Sequence, residues 1–174
     1  MVKIILSIVL VLSAYIFSGD KNKNTIPSTE NVIVKLDGDK APDFSLKSVD
    51  GKTVNLSDYK GKVVIIDFWA TWCGPCRRGI PDLVSIQKEF KNDLVIIGIS
   101  LDAEKTIKDI PGFVKSYSIN YPIVYGDEKV VMDYGGIQSI PTAFVIDKKG
   151  NVVDRHIGLV SKDTYVNKIK ELLK

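Results

Sequence analysis

Three apolar runs frame the chain, at residues 63–66, 94–99 and 143–146. Val63, Val64, Ile65 and Ile66 are four β-branched residues in succession, which suits a strand covered on both faces. Residues 94–99 repeat the pattern and predict a central parallel partner. Between the two, Ile80, Leu83, Ile86 and Phe90 recur at three- and four-residue spacing. That is one apolar helical stripe, and the helix carrying it supplies the crossover between parallel strands. Pro81 falls inside this helix, so a kink is expected there.

Ahead of these elements, Phe44-Ser45-Leu46 and Thr53-Val54-Asn55-Leu56 alternate apolar and polar positions around Asp50-Gly51, the signature of a β-hairpin. A second antiparallel hairpin is predicted from residues 143–146 and 152–156, which flank Asp147-Lys148-Lys149-Gly150-Asn151. Residues 103–117 place Ile107, Ile110, Val114 and Tyr117 on one helical face but include Pro111-Gly112, predicting two short helices or a broken one. A short strand is expected at 121–124 and a turn of helix at 130–134. Ser161 is a good N-cap for a last helix with Tyr165, Val166, Ile169, Leu172 and Leu173 on its apolar face. The order implies an α/β domain of three layers (α/β/α) around a mixed sheet, parallel at the crossovers and antiparallel at the terminal hairpins.

The first 17 residues carry one early cation, Lys3, and then an apolar run interrupted only by Ser7 and Ser13. Its length suits a signal-peptide core and is short of the roughly 20 residues that span a bilayer. No clean small-x-small cleavage site follows, and no cysteine is present there for a lipid anchor. The segment reads as a cleaved export signal or an uncleaved membrane anchor, with a core helix of a cytosolic protein as the third reading. Residues 19–39 are rich in Lys, Asn, Ser and Thr and read as a linker, within which Val32-Ile33-Val34 could form a short strand. The expected division is therefore 1–18 signal or anchor, 19–39 linker, and 40–174 a single folded domain.

Lysine and arginine total 24 against 21 acidic residues, a net charge of +3 over 174 residues. The basic residues are scattered, which argues against nucleic-acid binding. The two cysteines, Cys73 and Cys76, are two residues apart. They offer no disulfide framework, and a bond between them closes too small a loop to staple a fold. Such a bond is better suited to being made and broken.

Cys73 falls where the strand gives way to the helix. A thiol at a helix N-terminus faces unpaired backbone N–H groups and the positive end of the macrodipole, so its thiolate is favoured and its pKa falls below about 8.5. Cys73, nearer the helix start, is expected to attack a partner disulfide, and Cys76 to resolve the mixed disulfide. Two thiolates and one distant histidine, His156, do not make a four-ligand zinc site. Asp67, six residues before Cys73, is either a strand-end carboxylate in water or a buried acid of raised pKa poised to exchange a proton with Cys76. Trp69 is expected in the core and Trp72 at the rim of the site. Arg77 and Arg78 are read as solvating the first helical turn, and His156 as lying away from the site.

The residues FWATWCGPC, a proline five positions after Cys76, and Ile140-Pro141-Thr142 before a strand resemble the thioredoxin superfamily over roughly residues 40–174. The front hairpin, APDFSL with DGKTVNLSDYKGK, and residues 101–138 resemble the extracytoplasmic TlpA/ResA-like thiol:disulfide oxidoreductases more than plain thioredoxin. The resemblance implies a thioredoxin-like fold with an added N-terminal β-hairpin and exchange of dithiol for disulfide with protein partners. It implies no cofactor beyond the redox-active Cys73–Cys76 disulfide, and no metal. By the same resemblance, Asp67 matches the thioredoxin aspartate, and Ile140-Pro141 is cis and faces the cysteines. Trp72, Gly74, Pro75, Ile140 and Thr142 then form the partner-binding rim, and Gly74-Pro75 implies a comparatively reducing couple.

Two positions depart from the family pattern. Gly79 stands where ResA-like proteins often carry an acid, and Gly98 aligns with the lysine near the thioredoxin aspartate. The function expected is reduction of disulfides in partner proteins, with an upstream protein reductant, and family analogy points to the oxidised C-x-x-C-H of apocytochromes c as substrate. The expected protein is a monomer, placed in the periplasm or on the outer face of the cytoplasmic membrane. A thiol peroxidase of the AhpC/TSA type and a copper-delivery module are the alternatives. Peroxiredoxin spacing is absent, because Thr71 is two residues before Cys73, and the C-x-x-C is one residue shorter than the copper module's pair.

Overall fold

The computed structural model describes residues 38–174. The expected leader at 1–18, most of the linker and the Val32-Ile33-Val34 strand lie outside the described residues. Among the described residues, no helix is long and apolar enough to cross a membrane.

The chain opens with a two-stranded antiparallel hairpin, β1 (Ser45–Lys47) and β2 (Thr53–Asn55). Gly51 takes φ of 84° in its turn, a conformation that favours glycine. Then come β3 (Val63–Trp69), α1 (Gly74–Glu89) and β4 (Leu94–Ser100). A 3₁₀ turn at Ile107–Asp109 runs into α2 (Ile110–Ser116), followed by β5 (Ile123–Tyr125) and α3 (Glu128–Asp133). β6 (Thr142–Ile146), β7 (Val152–Ile157) and α4 (Lys162–Leu172) complete the domain. The sheet order is β5-β4-β3-β6-β7, with β3, β4 and β5 parallel, β6 antiparallel to β3, and β7 antiparallel to β6.

β3 and β4 are buried along their whole length, as expected for strands covered on both faces. One face carries Ile65, Trp69, Ile96 and Val145 against Ile80, Leu83 and Ile86 of α1, Ile110 of α2, and Tyr165 and Ile169 of α4. The other carries Ile66, Phe68, Ile97 and Phe144 against Val130 and Tyr134 around α3, and Phe44, Leu46, Val54 and Leu56 from the hairpin segment. α3 is only six residues long, so the hairpin supplies much of the second outer layer. It is fastened to the sheet by the Val49 N–H, which donates to the Ile123 carbonyl at 2.9 Å.

Several boundaries differ from the pattern-based expectation, each for a local reason. β3 extends past Ile66 to Trp69, so Asp67 lies within a buried strand and not after it. α3 starts earlier than periodicity suggested because Asp127 caps it, Oδ1 accepting from Val130 N–H at 2.7 Å. Pro111 sits in the first turn of α2, where a missing N–H costs nothing. α1 runs without a break across Pro81. α4 is capped by Ser161, whose Oγ accepts from Thr164 N–H at 3.3 Å.

Gln87 ties α1 to the sheet. Its Nε2 donates to the Leu94 carbonyl at 3.2 Å and its Oε1 accepts from Ile96 N–H at 2.7 Å. β5 pairs with β4 only over Gly98–Ser100, so this buried amide takes the place of a missing strand neighbour.

Candidate redox-active site

β3 delivers the chain to a short loop and α1 takes it away, with Cys73 as the helix N-cap. Pro75 occupies the first helical turn, where its ring is preorganised and its lost donor is not needed. Cys73 and Cys76 are joined by a disulfide. The Cys76 backbone N–H donates to Cys73 Sγ at 3.2 Å, so a reduced Cys73 gains a donor as well as the helix N-terminus, and both favour its thiolate. Exposure does not separate the two cysteines in the oxidised form, since Cys73 is 4% and Cys76 3% accessible. The asymmetry lies in the donors around Cys73 and in the buried acid near Cys76.

A polar brace fixes the loop before Cys73. Asp102, just beyond β4, accepts from Thr71 N–H at 2.9 Å, from Thr71 Oγ1 at 2.6 Å and from Ser100 Oγ at 2.8 Å. The Leu101 N–H donates to the Trp69 carbonyl at 2.8 Å. Asp102 was not among the candidates from the sequence. The signal available for it was position, at the carboxyl end of a parallel strand, where sites of open α/β sheets gather.

The second wall comes from the loop before β6. The Ile140–Pro141 peptide is cis, and the Ile140 carbonyl oxygen lies 3.7 Å from Cys73 Sγ, close enough to accept from a thiol once the pair is reduced. Pro141 in turn accepts from Gly158 N–H at 2.8 Å. Thr142, expected on the partner-binding rim, is placed differently. It is buried at 2% exposure and its Oγ1 donates to the Ser139 carbonyl at 2.7 Å. Its hydroxyl therefore braces the proline loop and is not free to meet a partner.

Asp67 shares a small cavity with Cys76. Its register neighbours are Gly98 on β4 and Ala143 on β6. With Cys76, Pro141, Leu159 and Tyr165, it lines a cavity of about 20 Å³. Burial alone pushes its carboxyl up to about 7, near the value that suits proton exchange at neutral pH. Burial first, and the nearby Asp67 charge second, push the phenols of Tyr165 and Tyr121 up as well. A Cβ at Gly98 would lie 2.5 Å from Ile123 Cδ1 and 3.0 Å from Trp69 Nε1. A side chain there would require Ile123 and Trp69 to shift, and Asp67 has no cation on that strand beside it.

Trp69 is 1% and Trp72 62% exposed, core and rim respectively. Gly74 is open, with Arg78 Nη1 at 3.9 Å from a Cβ placed there. Arg77 does more than solvate the turn: its Nε donates to the Tyr117 hydroxyl at 3.0 Å, and Tyr117 stacks on Phe113 at 4.2 Å between ring centres. His156 makes no contact with the cysteines. It pairs with Ala143 in register and meets Tyr165 edge-on at 5.5 Å. Among the described residues, no group of three or more His, Cys, Asp or Glu side chains is placed to hold a metal ion.

The sequence profile of the AhpC/TSA family matches residues 38–155, which include the whole C-x-x-C site and the proline loop. The chain belongs to the AhpC/TSA family. Within it, the chain is similar to the thioredoxin-like protein YneN of Bacillus subtilis, 37% identical over 134 residues, covering 76% of this chain and 78% of that one. It is also similar to the thiol-disulfide oxidoreductase ResA of Bacillus subtilis, 36% identical over 138 residues, covering 77% of this chain and 76% of that one. Among solved structures, the thiol:disulfide interchange protein DsbE from Chlorobium tepidum superposes with a TM-score of 0.73 at 34% identity. That match covers 79% of this chain and 98% of that one. These relatives place the AhpC/TSA chain in the thioredoxin-like fold class with its added N-terminal hairpin.

Proposed function

We propose that this chain is an extracytoplasmic thiol:disulfide oxidoreductase that reduces disulfides in partner proteins. The observation that carries the reading is the Cys73–Cys76 bridge at the N-terminus of α1, set between the Ile140 carbonyl and the buried Asp67. The names of the similar proteins, ResA and DsbE among them, support the same activity.

In the reducing direction, the Cys73 thiolate attacks one sulfur of a partner disulfide and expels the other as a thiolate, which takes a proton from solvent. The Cys76 thiol then passes its proton to the Asp67 carboxylate, and its sulfur attacks Cys73 Sγ. The mixed disulfide breaks, the second partner thiolate leaves, and Cys73–Cys76 closes. Two electrons pass from the dithiol to the partner. An upstream protein dithiol reverses the bridge to restore Cys73 and Cys76. Trp72, Gly74, Pro75 and Ile140 form the surface that receives the partner, with Pro141 holding the backbone beside Cys73. The apocytochrome c C-x-x-C-H pair is the substrate class proposed. The apolar segment at residues 1–18 acts as export signal or anchor ahead of a 19–39 linker, and the 40–174 domain acts as a monomer outside the cytoplasm.

The test is capture in the cell. Cys76→Ser leaves the mixed disulfide on Cys73 unresolved, and thiol-sensitive adducts of partner proteins are expected on a non-reducing gel. Adducts lost on Cys73→Ser support the reading, and their absence from Cys76→Ser counts against it.

A further inference from the structure

Gly79 and Leu159 come together at one edge of the cavity shared by Asp67 and Cys76. Leu159 is both in the cavity wall and 45% exposed, so it stands between the buried acid and solvent. Its Cδ1 lies 2.9 Å from where a Cβ on residue 79 would sit, closer than such atoms approach, so the missing side chain at Gly79 makes room for it. Gly158 fixes where Leu159 begins, with φ of 88° and its N–H bonded to the Pro141 carbonyl at 2.8 Å. The same loop contact thus sets both the proline wall and the position of Leu159. A cavity of about 20 Å³ has room for one water.

We propose that Leu159 is the lid on the solvent path to Asp67 and Cys76, seated by Gly79 and held by the Gly158–Pro141 hydrogen bond. The inference rests on the exchange reading above and assigns its proton step a gate. The proton that Asp67 takes from Cys76 must reach bulk water before the next cycle, and the Leu159 side chain sets how wet that route is. The titratable groups around Asp67 are Cys76 and Asp82 on α1, Tyr165 on α4, Tyr121 ahead of β5, and, one strand beyond Ala143, His156 with Asp154 at 3.4 Å from its Nε2. None of them is a lysine or arginine beside the carboxylate, which leaves hydration as the quantity that Leu159 controls. Leu159 acts through Asp67 and is a positioning residue.

The experiment is a carbon-13 NMR titration of the Asp67 carboxyl in the full-length protein, with the pH profile of oxidised-glutathione reduction measured in parallel. Leu159→Ala is expected to lower the Asp67 midpoint by about one pH unit, because it hydrates the carboxylate. The exchange profile should shift by the same amount. Gly79→Ala pushes Leu159 off its seat and should do likewise, and the double variant should go no further than Leu159→Ala alone. Leu159→Met, which keeps the volume, should titrate as wild type. A Leu159→Ala midpoint equal to wild type overturns the lid, as does a rate change that is uniform across pH, the mark of a partner contact. Asp67→Asn separates the two levels: if it abolishes the titrating limb, the relay stands whatever Leu159→Ala does, and if the limb survives, relay and lid fall together.

Discussion

Replacing Asp67 by asparagine should remove a pH-dependent destabilisation of the oxidised protein, so that the variant gains on wild type as pH rises from about 5 to about 8. The carboxyl is buried in β3, and burial raises it from an ordinary 3.8 to about 7. Between these values the folded state holds a proton that the unfolded state has released, so the contribution of Asp67 to wild-type stability falls as pH rises through this window. It is highest below about pH 4 and lowest above about pH 7. At about 1.4 kcal/mol per pKa unit, the full window amounts to about 4 kcal/mol, of which roughly 2.5 kcal/mol lies between pH 5 and pH 8. Asparagine carries no charge, and whatever its amide costs is independent of pH. Urea unfolding of wild type and Asp67→Asn at pH 5 and pH 8 isolates the effect as the change in their difference. A difference that moves by less than about 0.5 kcal/mol would show that Asp67 ionises without penalty, and the reasoning that makes it a poised acid would fail.

Two further outcomes follow from side chains that hold the site in place. Gln87→Leu leaves the Ile96 N–H and Leu94 carbonyl without their amide partner and should cost about 2 kcal/mol in chemical denaturation, with exchange rates per folded molecule unchanged. Asp102→Ala releases Thr71 and Ser100. It should lower stability by about 1–3 kcal/mol and, by loosening the loop before Cys73, slow oxidised-glutathione reduction severalfold, whereas a loss of stability with full exchange rate would confine Asp102 to a structural role.

The parts of the fold legible in the sequence were those whose information is local. The β-branched runs at 63–66 and 94–99, the stripe on α1, the Gly51 and Gly150 turns and the Ser161 cap each declare themselves within a few residues. The C-x-x-C did so as well, because a thiol at a strand-to-helix junction needs no distant partner to be reactive. What stayed hidden depends on contacts across the chain. Asp67 reads as either a strand-end carboxylate or a buried acid until β4 and β6 close on it at Gly98 and Ala143 and decide for the second. Thr142 reads as a rim residue until Ser139 takes its hydroxyl. Leu159 and Asp102 carry no motif, and only the meeting of the β7–α4 and β4–α2 connections with the ends of β3 and α1 gives them meaning. Gly79 and Gly98 looked like lost family residues. Packing shows that each makes room for a neighbour, Leu159 in one case and Ile123 with Trp69 in the other.

The most direct test of the central claim is to mix reduced full-length protein with insulin, quench with iodoacetamide, and weigh the products by mass spectrometry. Wild type should separate the insulin chains and return unalkylated and two hydrogens lighter, with Cys73 bonded to Cys76. Cys76→Ser should retain insulin on Cys73 as a mixed disulfide, and Cys73→Ser should remain inert. A chain captured by Cys76 in Cys73→Ser at the wild-type rate, or reduced protein that is oxidised by hydrogen peroxide but not by insulin, would contradict the account.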